Sequence, residues 1–134
     1  MAGIFNKDAC WVTFTGDSPF DSKTRTKILI ASHHGSTKNG ENTPEHGRSA
    51  LAERVCFSAT IHAKYQVPEH KARLSYELKE CATTDDHAFS GFDDKGNVTT
   101  EKTQHRVYST CDYETIYLFG NIDNVVVATG ANIH

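Results

Sequence analysis

The sequence holds no apolar run long enough to cross a membrane. The stretch from Met1 to Asp17 has no basic-then-apolar layout of the kind a secretory signal needs, so a cytoplasmic protein is the expectation. No two cysteines are spaced as Cys-x-x-Cys, which excludes a zinc ribbon or thioredoxin-like motif. The wide spacing of Cys10, Cys56, Cys81 and Cys111 reads as buried free thiols in a reducing compartment rather than as a disulfide framework. There is no excess of positive charge. The formal net charge of −3 excludes a surface that grips nucleic acid by overall charge alone, although a local basic groove is compatible with it. There is no internal repeat, no low-complexity segment and no Gly-x-Ser-x-Gly nucleophile elbow.

What is present fits one globular domain. A chain of 134 residues can bury one modest core but not two. Hydrophobic residues at 37% and charged residues at 23% place it among folded rather than disordered chains. Histidine is over-supplied, with eight residues, which raises metal or proton chemistry as a possibility without deciding it.

Hydrophobic patterning predicts strands at 10–15 (CWVTFT), 27–32 (KILIAS), 55–61 (VCFSATI) and 105–109 (HRVYS). A closing hairpin is predicted from 115–119 (TIYLF) and 125–128 (VVVA). Thr43 followed by Pro44 predicts a helix start, and the stretch from Pro68 to Cys81 predicts the clearest helix, with Pro68 at its first position. The polar segment 83–104, with Gly91 and Gly96, reads as a long loop, an insertion or a small hairpin. Strands alternating with helices before a terminal hairpin indicate a layered α/β or α+β domain.

Chemistry-bearing residues cluster after two of the predicted strands, at Thr15-Gly16-Asp17 and at Ser32-His33-His34-Gly35-Ser36. In layered α/β folds the strand ends form the crevice where ligands bind. A carboxylate and imidazoles delivered from neighbouring strand ends suit a divalent metal with a position open for water. Taken alone, Gly-Asp after a strand is commonly only a turn, and one ring of a His-His pair commonly packs on the core. Their shared strand context makes Asp17, His33 and His34 the candidate metal residues, with Asp17 and His34 the candidates for catalysis. Ser36 is a candidate to orient a ligand or a substrate oxygen, or to cap the turn that follows. The acidic pairs Asp85-Asp86 and Asp93-Asp94 read as solvated.

These motifs resemble the metallo-β-lactamase-fold hydrolases. Trp11 to Asp17 (WVTFTGD) resembles their strand and Thr-Gly-Asp turn. Ile28 to Ser36 (ILIASHHGS) resembles the His-His-Gly-Ser signature of one branch, which includes the C-terminal hydrolase-like domain of the competence protein ComEC. Tyr65 to Pro68 (YQVP) falls where that branch has Tyr-Gly-His-Pro, and Val107 to Leu118 (VYSTCDYETIYL) resembles its closing segment.

The resemblance implies the C-terminal half of an αββα sandwich and a site holding zinc, or manganese or iron, dinuclear when complete. It implies that Asp17 bridges the metals and that the His33-His34 pair lies beside them. It also implies a metal-dependent hydrolase fragment or subunit, acting on a phosphodiester or similar ester, with nucleic acid among the candidate substrates. Two departures stand against this. The His-x-His-x-Asp-His string of the N-terminal half does not occur, and Val67 stands where the branch has histidine. His62 and His70 lie close enough in sequence to be candidate substitutes or supports. The expected partner is an N-terminal half-domain, a second chain or a further copy of this one. The alternative is a diverged binding module without catalysis.

Overall fold

A computed structural model of the chain describes residues 3–4, 10–15, 26–120 and 125–128. Its centre is a five-stranded sheet built from β1 (Gly3–Ile4), β2 (Cys10–Phe14), β3 (Thr26–Ile30), β4 (Arg54–Phe57) and β7 (Val107–Ser109), in the order β1-β2-β3-β4-β7. β2, β3, β4 and β7 run parallel, and β1 lies antiparallel along the β2 edge. All four residues of β4 are buried, as expected for a central parallel strand covered on both faces.

One face of the sheet carries the larger core. Leu29, Val55, Phe57 and Val107 meet Ala50 of α1 (Pro44–Ala50) together with Ala72 and Tyr76 of α2 (His70–Tyr76). Phe57 sits edge-on to both Tyr76 and Phe89, with ring centroids 6.1 and 5.4 Å away. The opposite face gathers Val12, Ile28, Cys56 and Tyr108, flanked by Ile30, Tyr113 and Ile116. The period-2 alternation of β3 and β4 therefore supplies both cores.

α1 begins where the sequence signals it. Thr43 accepts a hydrogen bond from the His46 backbone N–H, and the His46 ring returns one from the Thr43 N–H, with Pro44 in the first turn. The helix crosses α2 so closely that a Cβ on Gly47 would lie 1.8 Å from the Ser75 carbonyl oxygen. Only glycine permits that crossing.

The helix expected after Val67 needs correction. The helix predicted over 68–81 is confined to His70–Tyr76, followed by a short 3-10 turn at Lys79–Cys81. Pro68 and Glu69 stay outside the helix and have other partners: the Pro68 carbonyl accepts from Phe92 N–H at 2.8 Å, and Glu69, with extended backbone, bridges Phe92. Of the forms that the sequence left open for 83–104, the small hairpin is the one adopted. It pairs β5 (Ala82–Phe92) with β6 (Val98–His105) and turns at Asp93, whose Oδ1 accepts from the Lys95 and Asn97 N–H groups. The Asp93 carboxyl is held below its usual range chiefly by the Asn97 N–H. The hairpin rests on α2 through Phe89 and Arg73, and Ser90 bonds Asp112 of α3 (Thr110–Tyr113). The closing hairpin forms as predicted, from β8 (Tyr117–Gly120) and β9 (Val125–Ala128).

The described residues thus make a mixed α/β layered fold with antiparallel hairpins added to a parallel sheet. None of their helices is long and apolar enough to cross a membrane. Cys56 and Cys81 are buried free thiols and Cys111 is a partly buried one; Cys10's side chain lies outside the described residues.

Candidate functional site

Parallel strands all end on the same side, so their C-terminal ends bring distant parts of the chain together. At the end of β2, Thr15 is buried and donates its hydroxyl to the Ile30 carbonyl at 2.8 Å, which ties that end to the end of β3. Asp17, the expected bridging ligand, lies outside the described residues. At the end of β3, Ser32 to Gly35 form a kinked turn, in which His33 (φ 44°) and His34 (φ 54°) both take left-handed backbone. Gly35 follows at φ 83°, and a Cβ there would press Pro68 at 3.2 Å. Residues other than glycine seldom adopt such angles, and two in succession must be held in place by their surroundings.

The holding groups are visible. Asn42, itself left-handed and 1% exposed, donates from Nδ2 to the Ser32 carbonyl (2.9 Å) and to the Ser36 carbonyl (2.7 Å). Its Oδ1 accepts from the Tyr76 hydroxyl at 2.5 Å. One side chain therefore clamps both ends of the histidine turn and anchors it to α2. Burial pushes the Tyr76 phenol up, with the Glu41 carboxylate adding to the effect, so the hydroxyl keeps the proton it donates.

Each ring is fixed through Nδ1. The His33 Nδ1–H donates to the buried carboxylate of Glu41. The His34 Nδ1 lies 2.5 Å from the Ser58 carbonyl, at the end of β4. A carbonyl only accepts, so His34 carries its proton on Nδ1. That leaves Nε2 as the atom available to meet a ligand. Donation from Nδ1 to a carboxylate or a carbonyl is also how metal-binding histidines are normally oriented.

His34 is exposed and forms a common wall of two cavities. One, of about 390 Å³, is lined by Ser58, Thr60, His62, Tyr65, Val67 and Thr110 besides His34. The other, of about 300 Å³, adds His33, Ser36, Lys38 and Glu41. Tyr65 and Val67 border both. His62 packs tilted against Tyr65 with ring centroids 4.8 Å apart, and Lys38 Nζ donates to the Tyr65 carbonyl at 3.0 Å. Ser36 Oγ accepts from the Lys38 N–H at 3.1 Å, which is the turn-capping role, while the residue also borders the second cavity.

His70 is placed elsewhere. Its ring is buried against Phe89; its Nε2 lies 3.0 Å from both Thr99 oxygens and its Nδ1 2.7 Å from Glu101. It lines neither of the two cavities that His34 shares. His87 is buried as well, stacked on Tyr108.

Glu41, Asn42 and Ser58 had no signal of their own in the sequence, whereas Tyr65 opens the YQVP segment. Glu41 and Asn42 belong to a stretch that reads only as an Asn- and Gly-rich loop, and their importance comes from partners brought near by folding. Among the described residues no group of three or more His, Cys, Asp or Glu side chains is arranged to hold a metal ion. Comparison with protein-family models, curated proteins and solved structures finds no match.

Proposed function

We propose that this chain is the C-terminal half of a metallo-β-lactamase-like fold and serves as a metal-dependent hydrolase fragment or subunit, its His33-His34 turn presenting imidazoles to the metal site. The observation that carries this reading is the histidine pair itself. Two consecutive non-glycine residues are kept in left-handed backbone, at about 1 kcal/mol or more each, at the strand-end side of a parallel sheet. Both rings are oriented through Nδ1, by Glu41 and by the Ser58 carbonyl. A turn with no ligand to bind would be better served by glycine.

A catalytic zinc takes three protein ligands. The described residues offer the two imidazoles and no third donor with them, so the centre is incomplete among them and no hydrolytic step is assigned to them. Asp17, and donors on an N-terminal half-domain or second chain, are what the reading requires to complete it. The chain's own contribution is orientation: Glu41 and Ser58 fix the tautomers, and Asn42 fixes the turn. Zinc, manganese or iron is the metal expected, and a phosphodiester or similar ester the substrate class.

Elemental analysis of the purified chain at near-neutral pH tests this. Roughly one equivalent of metal, lost in Asp17→Ala and in His34→Ala, supports the reading; metal content that survives both substitutions removes it. The missing third donor, together with Val67, favours a second reading, a binding module without catalysis. Ester hydrolysis by the purified chain that tracks bound metal would exclude that alternative.

A further inference from the structure

Glu69 occupies the N-cap position of α2, yet its side chain makes no cap hydrogen bond to that helix. Its carboxylate turns to the segment just after the histidine turn instead. It accepts from the Thr37 N–H at 2.5 Å and from the Thr37 hydroxyl at 2.9 Å, across 32 residues of sequence. The Glu69 N–H donates to the Gly35 carbonyl at 3.1 Å. One residue thus brackets the exit of the His33-His34 turn from both sides of Ser36. The backbone of Glu69 is itself fixed from behind, by its bridge to Phe92 and by the bond from Phe92 N–H to the Pro68 carbonyl.

We infer that Glu69 is a positioning residue for the histidine pair: with its backbone seated on the β5–β6 hairpin, it holds Gly35 through its N–H and Thr37 through its carboxylate, so that the rings of His33 and His34 keep their orientation toward the cavities. Glutamate is a weak choice for an N-cap, where Ser, Thr, Asp and Asn are preferred. A charged acceptor is nevertheless well suited to a backbone N–H that must not move, because such bonds are shorter and stronger than neutral ones. Glu41 and Ser58 act on the rings directly, whereas Glu69 acts on the backbone that carries them. Its importance for a bound metal rests on the proposed function, but the bracket itself can be tested without it.

The test is histidine-ring NMR on the full chain, comparing wild type with Glu69→Ala and Glu69→Gln. In Glu69→Ala the ring nitrogen signals of His33 and His34 are expected to shift and the Thr37 amide to lose protection from exchange, while His87, stacked on Tyr108, stays unchanged. Glu69→Gln, whose amide oxygen can still accept, is expected to restore most of the wild-type signals. Asp112→Asn, which weakens the hairpin's separate tie from Ser90 to α3, serves as the control for general loss of stability and is expected to leave both rings in place. Unmoved His33 and His34 signals in Glu69→Ala would overturn the inference, as would equal shifts in Asp112→Asn. Should Glu69→Ala fail to fold, Thr37→Val removes the hydroxyl bond alone and is expected to move the same two rings by a smaller amount; no movement there also counts against it. Zinc titration of the same proteins adds a second reading, an affinity loss of about tenfold or more in Glu69→Ala. No zinc binding by wild type, with the ring shifts still seen in Glu69→Ala, would refute the metal assignment and leave the positioning role standing.

Discussion

Two clusters in this molecule combine histidine with glutamate, and they spend their histidines differently. Under the β5–β6 hairpin, His70 engages protein groups with both ring nitrogens, and the buried Arg73 beside it bonds Glu77 and Glu101 and lies over the Phe89 ring. That cluster is closed on itself. At the strand ends, His34 engages the Ser58 carbonyl through Nδ1 and stands exposed between two cavities, on backbone that favours glycine. A histidine whose donors and acceptors are used up inside the protein is part of the scaffold. One that is held by a single nitrogen at an internal cost in backbone strain is set up to meet something else.

The largest effect that would sharpen this contrast comes from the closed cluster. Arg73→Met takes the buried cation from Glu77, leaving it the Thr103 hydroxyl, and is expected to cost about 3 kcal/mol in urea unfolding. A loss under 1 kcal/mol would mean the cluster is better solvated than its burial implies. Asn42→Ala comes next. It removes three hydrogen bonds made by a side chain 1% exposed, which is expected to cost about 2–3 kcal/mol and to disturb the rings of His33 and His34.

The histidines themselves provide the direct comparison. His70→Ala is expected to cost about 2 kcal/mol, because it empties a buried site and strands polar neighbours. His34→Gly is expected to leave stability unchanged or to raise it by about 0.5–1 kcal/mol, by relieving the left-handed backbone. If His34→Gly instead destabilised as much as His70→Ala, the two clusters would be alike and the case for a working histidine would fail.

The smallest effect is alkaline. Burial pushes the Cys56 thiol up from 9.0 to about 12. The folded state then retains a proton that the unfolded chain loses, so this contribution is whole below pH 9 and declines as pH rises toward 12. The expected slope is at most about 1.4 kcal/mol per pH unit from this group. Urea unfolding at pH 8 and pH 10 should show a smaller decline in Cys56→Ala than in wild type.

Much of the scaffold was legible from local pattern. The apolar runs at 10–15 and 27–32, the Thr43-Pro44 helix start and the closing hairpin all lie within a residue or two of their predicted places, because side-chain period and cap chemistry act over short distances. The stretch after Pro68 misled for the complementary reason. Its composition suits a helix, but Pro68 and Glu69 were claimed by Phe92 and by the histidine turn, and neither partner is close in sequence. The hairpin over 82–105 was one of the forms its composition allowed, with α2 and Asp112 beneath it in the fold.

Residue types and their order are enough to mark the strand-end motifs and to put two histidines after a buried strand. Which histidines serve the scaffold and which face the cavities depends on long-range packing. Hydrogen-bond partners such as Ser58 for His34, Thr99 for His70 and Thr37 for Glu69 lie 24 to 32 residues away. Separations of that size carry no local signal, and the pairings exist only once the parallel sheet has aligned its strand ends.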